Sequence, residues 1–153
     1  MILGLILPAC GARGPSGLPA ATPIDLATLQ RPASPNTALA GPASLGARPD
    51  IAVRHYAVPA PVLLAALRRI ASTEPRVYPL ARFDDRLQAA YVARSKVLNF
   101  PDLVQVAAEP DGQGSWPIIY SRSVYGRYDF GVNRQRVEAW LARIPDAIKA
   151  ETE

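Results

Sequence analysis

Apolar residues recur at helical spacing in two segments of the chain. In the first, residues 59–72, the spacing is i, i+3, i+4 and i+7 at Leu63, Ala66, Leu67 and Ile70. Pro61 falls in the first turn, where its missing N–H costs no hydrogen bond. In the second, which follows Gly131, the same spacing recurs at Val137, Trp140, Leu141 and Ile144. We predict two amphipathic helices, the second with Asn133 as its N-cap and Pro145 at its end.

Five shorter segments have the β-branched and aromatic composition of strands, namely residues 51–58, 76–80, 87–95, 103–109 and 116–125. In the third, alternate residues from Leu87 to Ala93 are apolar, whereas the residues between them are mixed and include Gln88. The sequence Glu-Pro-Asp-Gly-Gln-Gly at 109–114 predicts a hairpin loop. The order β-α-β-β-β-β-α predicts an α+β fold: an antiparallel sheet of about five strands with two helices packed on one face.

The start of the chain shows neither the helical nor the strand spacing of apolar residues. Residues 1–9, MILGLILPA, are apolar and uncharged but too few to span a bilayer, which takes about 20. They are typical of a secretory signal peptide. Leu7-Pro8-Ala9-Cys10 resembles the lipobox of bacterial lipoproteins, in which the thiol receives a diacylglycerol. We therefore expect Cys10 to be lipidated. The alternative is an apolar N-terminal strand or helix that ends in a buried cysteine.

Proline and glycine are concentrated in the first third of the chain. Eight of the 16 prolines and six of the 10 glycines lie in residues 1–49. Residues 10–28 are rich in Pro, Gly and Ala, which predicts a flexible tether. We predict a single α+β domain over residues 29–146, which begins with a turn-rich lead-in up to Pro42, and a charged tail over residues 147–153.

Composition excludes several classes of protein. With 153 residues, 49% apolar and 20% charged, the chain can form one domain, so disorder throughout is excluded. Its single cysteine makes neither an internal disulfide nor a zinc site. The net charge of +4 comes from scattered arginines without a nucleic-acid-binding motif, so we expect no nucleic acid partner.

The C-terminal block resembles a known family. Residues 120–137, YSRSVYGRYDFGVNRQRV, are similar to the signature SRSxxGxxDxGxNxxR of the domain of unknown function 1499 family. Ser34-Pro35-Asn36 resembles its SPN element, and Arg94-Ser95 with Asn99-Phe100-Pro101-Asp102 resembles its central element. Thr37 stands where many members have cysteine, and Pro101-Asp102 replaces the commoner Asp-Asp pair. The resemblance implies a bacterial or plastid protein, often exported or membrane-attached, of unestablished biochemistry.

The candidate site follows from this block, which joins a strand end, a glycine turn and a helix N-terminus. Backbone N–H groups there, with nearby arginines, could bind a carboxylate or phosphate. Alternatively, Asp129 pairs with those arginines in a buried network that fixes the last helix on the sheet. We favour this interpretation, with Arg122 as the partner of Asp129. The candidate residues are Arg94, Ser95, Asp102, Ser121, Arg122, Ser123, Asp129, Asn133 and Arg134.

Catalytic chemistry is poorly supported by the sequence. His55 is the only histidine and cannot build a zinc site by itself. The candidate serines lack a nearby base and the glycines of a nucleophile elbow. Asp129-Phe130-Gly131 spells the kinase magnesium triplet without the other kinase motifs. We predict no catalytic residue, metal or cofactor.

The favoured function is a non-enzymatic binding or scaffold module in the bacterial cell envelope, lipid-anchored on the periplasmic side. Its expected partners are membrane lipid through acylated Cys10 and an envelope protein or small anionic ligand. The alternative is a small-anion sensor or enzyme with a site around Arg94, Asp102, Arg122 and Asp129.

Overall fold

The computed structural model describes residues 12–153. Its elements, in chain order, are β1 (Thr37–Gly41), β2 (Ile51–Ala52), α1 (Ala60–Thr73), β3 (Val77–Phe83), β4 (Gln88–Arg94), β5 (Pro101–Pro110), β6 (Ser115–Ser123) and α2 (Val132–Thr152). A short 3-10 turn, Asp84–Arg86, links β3 to β4. From β2 onward the order is the predicted β-α-β-β-β-β-α, so the α+β class is confirmed.

The six strands form one sheet in the order β2-β1-β6-β5-β4-β3. Strands β3 to β6 form an antiparallel meander, and β1 pairs antiparallel with β6. The sheet is nevertheless mixed, because β2 pairs parallel with β1. The prediction missed β1, because Thr-Ala-Leu-Ala-Gly is poor in β-branched residues and lies among prolines. Its pairing with β6 outweighs that weak local preference.

The strand predicted over residues 51–58 is much shorter than expected. Regular pairing ends at Ala52, and farther along only Tyr56 forms an isolated bridge, to Ser115. The hairpin loop is confirmed, since Asp111 donates its backbone N–H to the carbonyl of Gly114 at 3.2 Å. This hairpin marks one end of the sheet.

Both helices pack on one face of the sheet, as predicted. The four apolar residues predicted for the first helix are all buried, and so are Val137, Trp140 and Ile144 of the second. They pack on alternate residues of β4, which are Ala89, Tyr91 and Ala93. The Trp140 and Tyr91 rings meet edge to face, with centroids 6.3 Å apart. The predicted apolar faces of both helices and of β4 are therefore confirmed.

Both predicted ends of the second helix are wrong. Gly131, in the left-handed region at φ 79°, precedes α2, and Asn133 lies within its first turn. Pro145 lies inside the helix, which continues to Thr152, so the predicted tail is helical. Pro145 is exposed, whereas Ile144 and Ala147 around it are buried. Their packing outweighs the hydrogen bond that proline removes.

The opposite face of the sheet is covered by the N-terminal segment, residues 12–29, which contains neither helix nor strand. Ile24 is buried there against Leu39, Ile118 and Tyr120. The tether over residues 10–28 and the domain boundary at residue 29 stay predictions, as does lipidation, because residues 1–9 and Cys10 lie outside the described residues. Within residues 12–153, neither helix is long and apolar enough to cross a membrane.

Candidate functional site

Two separate sequence motifs meet at the end of the sheet opposite the hairpin. Asn36, from the SPN element, directly precedes β1, and Thr37 of β1 pairs with Arg122 of β6. This register places Asn36 beside Ser123, whose backbone N–H donates to the Asn36 carbonyl at 3.1 Å. The Asn36 side-chain amide donates to the carbonyl of Gly126 at 2.7 Å. The SPN element and the C-terminal block therefore form one site.

Asn133 lies at the centre of this site and is fully buried. Its amide nitrogen contacts the Asn36 carbonyl at 3.1 Å and the Ser123 hydroxyl at 3.0 Å. Its amide oxygen accepts a hydrogen bond from the Ser121 hydroxyl at 2.5 Å. One side chain of α2 thus joins β6 and the segment before β1. A buried amide is stable only when it is satisfied in this way.

A mostly buried ion pair extends the network to β5. Arg136 Nη2 lies 2.9 Å from Asp102 Oδ2, and the two side chains are 15% and 11% exposed. Arg136 Nη1 also donates to Ser121 Oγ at 3.0 Å and to Asn133 Oδ1 at 2.9 Å. The candidate list missed Arg136. The sequence does indicate Arg136, because it lies three residues after Asn133 and therefore on the same face of the helix.

Asp129 caps helix α2. Its carboxylate accepts the backbone N–H of Gly131 at 3.0 Å and that of Asn133 at 2.9 Å. Burial acts to raise the pKa of this carboxyl, but these donors and the Asn133 side chain hold it below its ordinary value of 3.8. The negative charge also suits the positive end of the helix dipole. Asp129 therefore performs the capping role predicted for Asn133.

The expected contact between Arg122 and Asp129 is not formed. Ser121 and Ser123 point toward α2, so Arg122 between them points to the other face of the sheet. There it lines a shallow depression with Gln105 and Tyr120. The prediction treated the block as one turn and overlooked the two-residue period of the strand before it.

Arg94 also lies on the other face, apart from the network. It is 4% exposed, and its guanidinium donates to the backbone carbonyls of Gly14 at 2.8 Å and Ser16 at 2.9 Å. The four residues proposed for a sensor or enzyme site are thus divided between two faces. Asp102 and Asp129 lie toward α2, and Arg94 and Arg122 lie toward the N-terminal segment.

The two remaining candidates are exposed. Ser95 Oγ accepts the backbone N–H of Phe100 at 2.9 Å and closes the loop between β4 and β5. Arg134 pairs with Glu138 one turn along α2 at 2.9 Å. The structure therefore brings together Asp102, Ser121, Ser123, Asp129 and Asn133 from the candidate list.

An open groove of about 840 Å³ lies beside the network. Arg31, Arg48 and Arg134 line it together with the aromatic side chains of Tyr128 and Phe130. Arg31 is engaged by Asp50, at 2.9 and 2.5 Å. Within residues 12–153, no group of three His, Cys, Asp or Glu side chains could hold a metal ion. The groove offers charge and aromatic surface, which suits binding.

A family model described as "Protein of unknown function (DUF1499)" matches residues 25–144. No curated protein matches the chain. An uncharacterized protein from Rhizobium leguminosarum is a structural neighbour with 13% identity and a TM-score of 0.49, over 74% of this chain and 94% of that one. A protein from Thermus thermophilus has 11% identity and a TM-score of 0.31, over 75% of this chain and 92% of that one.

Proposed function

Because the chain belongs to the DUF1499 family of proteins of unknown function, we propose its role from its own residues: a membrane-tethered envelope lipoprotein whose domain is a non-enzymatic binding or scaffold module. One observation carries the non-enzymatic part. The polar side chains of the C-terminal signature contact one another and the backbone, and hold α2 on the sheet. A group engaged in this way is not poised to attack a substrate.

The closed network supports a structural role for the signature. Asn133 and Ser121 are fully buried, and the Asp102 side chain is 11% exposed. Asp129, the network carboxylate that lines the groove, already accepts two backbone N–H groups. The groove therefore adjoins the network without exposing a paired acid and base or an activated nucleophile.

The sequence before the described residues supports the tether. An apolar run of nine residues that ends in the small residue Ala9 and is followed by Cys10 resembles an export signal with a lipidation site. A single acyl chain attaches weakly, but the two or three chains of a mature lipoprotein hold firmly. The proposed location is the periplasmic side of a bacterial membrane.

Membrane fractionation of the Cys10→Ser protein tests the tether. We expect wild-type protein in the membrane fraction and the serine variant in the soluble fraction, with a mass increase for the acyl chains on wild type alone. Ser16→Ala, a similarly small change close in sequence, should fractionate as wild type. Unchanged membrane association of Cys10→Ser would contradict the proposal.

The groove supports a second candidate, a sensor of small anions, because three arginines line it. Thermal melts of the purified protein with inorganic phosphate or a dicarboxylate distinguish the two, since a ligand that binds the folded state raises Tm. An anion sensor shows stabilisation that Arg48→Ala abolishes and Arg127→Ala, an exposed arginine outside the groove lining, retains. A scaffold module shows no such shift.

A further inference from the structure

Large apolar side chains are exposed in two loops and at Val132, the first residue of α2. Within residues 12–153, apart from Tyr78 on β3, the exposed large apolar side chains are Val97, Leu98, Phe100, Tyr128, Phe130 and Val132. Val97 is 87% exposed and Phe130 is 94% exposed. Single exposed apolar residues are ordinary, but a group confined to adjoining loops marks an interaction surface.

Both loops leave the sheet at the same end. The first connects β4 to β5, and the second connects β6 to α2. Arg94 pairs with Pro101, and Asp102 pairs with Ser123, so the end of β4, the start of β5 and the end of β6 are neighbours. The backbone N–H of Val124 donates to the Pro101 carbonyl at 3.1 Å and joins the two loops directly. We call residues 96–100 and 127–132 the loop patch.

The N-terminal segment begins at this same end. The Asn99 side-chain amide donates to the Ala12 carbonyl at 2.9 Å, and Arg94 binds the Gly14 carbonyl. Ala12 is only two residues from Cys10, and two residues of extended chain span at most about 7 Å. A lipid on Cys10 would therefore hold the loop patch close to the bilayer surface.

The charge of this end also suits a membrane surface. Lys96 and Arg127 belong to the loop patch, and Arg13 lies beside it in the N-terminal segment; all three are exposed. Asp129, the acid in the patch, is engaged at the helix terminus. Basic side chains beside aromatic and aliphatic ones are the composition of interfacial membrane contacts, where anionic headgroups meet the acyl boundary.

We propose that the loop patch is a second membrane contact, which lies in the bilayer interface beside the anchor and orients the domain. This inference rests on the proposed tether, and it names the partner as an anionic lipid surface. The groove beside the patch then faces the headgroups, and the hairpin of residues 111–114 points away from the membrane.

Fluorescence quenching in vesicles tests the orientation. The mature full-length protein carrying Leu98→Trp is reconstituted in phosphatidylcholine vesicles with a minor fraction of phosphatidylglycerol and brominated acyl chains. Gln113→Trp, an exposed position in the hairpin at the other end of the sheet, is the matched control. The signal of the native tryptophans, measured on wild type, is subtracted, and flotation of the same samples reports the tether independently.

We expect both variants to float, with quenching and a blue shift for Trp at position 98 and neither at position 113. Flotation without quenching at position 98 overturns the loop contact while the tether stands. Equal quenching at both positions overturns the orientation, and failure to float overturns the tether and this inference together. An emission at position 98 that is already blue-shifted without vesicles, and unchanged by them, overturns the contact, because another segment or a second copy covers the patch.

Discussion

The two faces of the sheet are covered in different ways. On one face, the helices bring long rows of apolar side chains, and the core there includes the fully buried Trp140. On the other face, residues 12–29 bring few apolar side chains and no regular structure. There Gln88 Oε1 accepts the backbone N–H of Ile24 at 2.7 Å, and Gln88 Nε2 donates to the Ile24 carbonyl at 2.9 Å.

The difference shows how an irregular segment can cover a sheet. A helix satisfies its own backbone groups and needs only an apolar stripe, whereas a coil brings backbone donors and acceptors that require partners. Gln88 and Arg94 supply those partners on β4, and Gln105 does so on β5 by donating to the Thr22 carbonyl at 2.9 Å. Polar residues on a strand face therefore need not mark a face open to water.

The largest expected effect is the loss of the amide at the centre of the network on the helix face. Asn133→Leu keeps the approximate size but removes the acceptor of the Ser121 hydroxyl, one acceptor of Arg136 and one of the two donors to the Asn36 carbonyl. We expect the free energy of unfolding to fall by about 3 to 5 kcal/mol, measured by urea denaturation.

Arg134→Ala, one residue along the same helix turn, is the control for Asn133→Leu. Its side chain is exposed and pairs with Glu138, so we expect a change below about 0.5 kcal/mol. Equal effects of the two substitutions would mean that the network does not hold the helix.

The sequence predicted the sheet face covered by the two helices better than the face covered by residues 12–29, which we call the coil-covered face, and the reason is physical. The spacing of Leu63 and Ile70, or of Val137 and Ile144, is itself the signal for burial on a helix. Strand β1 was missed because its stability comes from pairing with β6, which local composition does not encode. For residues 12–29 the composition contains no such signal, because many of their contacts are with residues far along the chain, as between Ile24 and Gln88, 64 positions apart.

The candidate site was predicted in part, and for a similar reason. The family motifs identified Asp102, Asn133 and Asp129, and all three belong to the observed network. The partner chosen for Asp129 was wrong because neighbours in sequence were taken as neighbours in space. Strand alternation sends Arg122 away from its neighbours Ser121 and Ser123. Arg136, which lies one helical turn after Asn133, is the arginine of the observed network, a position that the prediction gave to Arg122.

A smaller effect is expected on the coil-covered face. Gln88→Leu removes both hydrogen bonds to Ile24. The backbone N–H and carbonyl of Ile24 are then unsatisfied at a buried position. We expect a loss of about 2 kcal/mol and faster hydrogen exchange at the Ile24 amide, with little change at amides of α1.

Gln105→Leu is the matched control on the same face, because Gln105 is half-buried and makes one described bond to the segment. It should leave the exchange of the Ile24 amide nearly unchanged. If Gln88→Leu also left that exchange unchanged, the segment would not be held by side-chain contacts to its backbone.

The smallest expected effect depends on pH and concerns Asp129. Its folded pKa is lowered, so its charge contributes stability above its ordinary pKa of 3.8, and this contribution is lost as pH falls through the folded pKa. We expect Asp129→Asn to be less stable than wild type at neutral pH, with the gap narrowing below about pH 4. Melting curves across this range measure the gap, and a constant difference at all pH values would contradict the capping role.

The central claim is that the polar network around Asn133 holds α2 on the sheet, and a double-mutant cycle on Asp102 and Arg136 tests it most directly. Each single alanine substitution leaves a mostly buried charge without its partner, so we expect each to cost about 3 kcal/mol in urea denaturation at pH 7. The double variant should lose less than the sum, by about 1 kcal/mol or more. Additive losses, or single variants that fold with wild-type stability and lose only an anion-dependent rise in Tm, would contradict the claim and make these residues a ligand site.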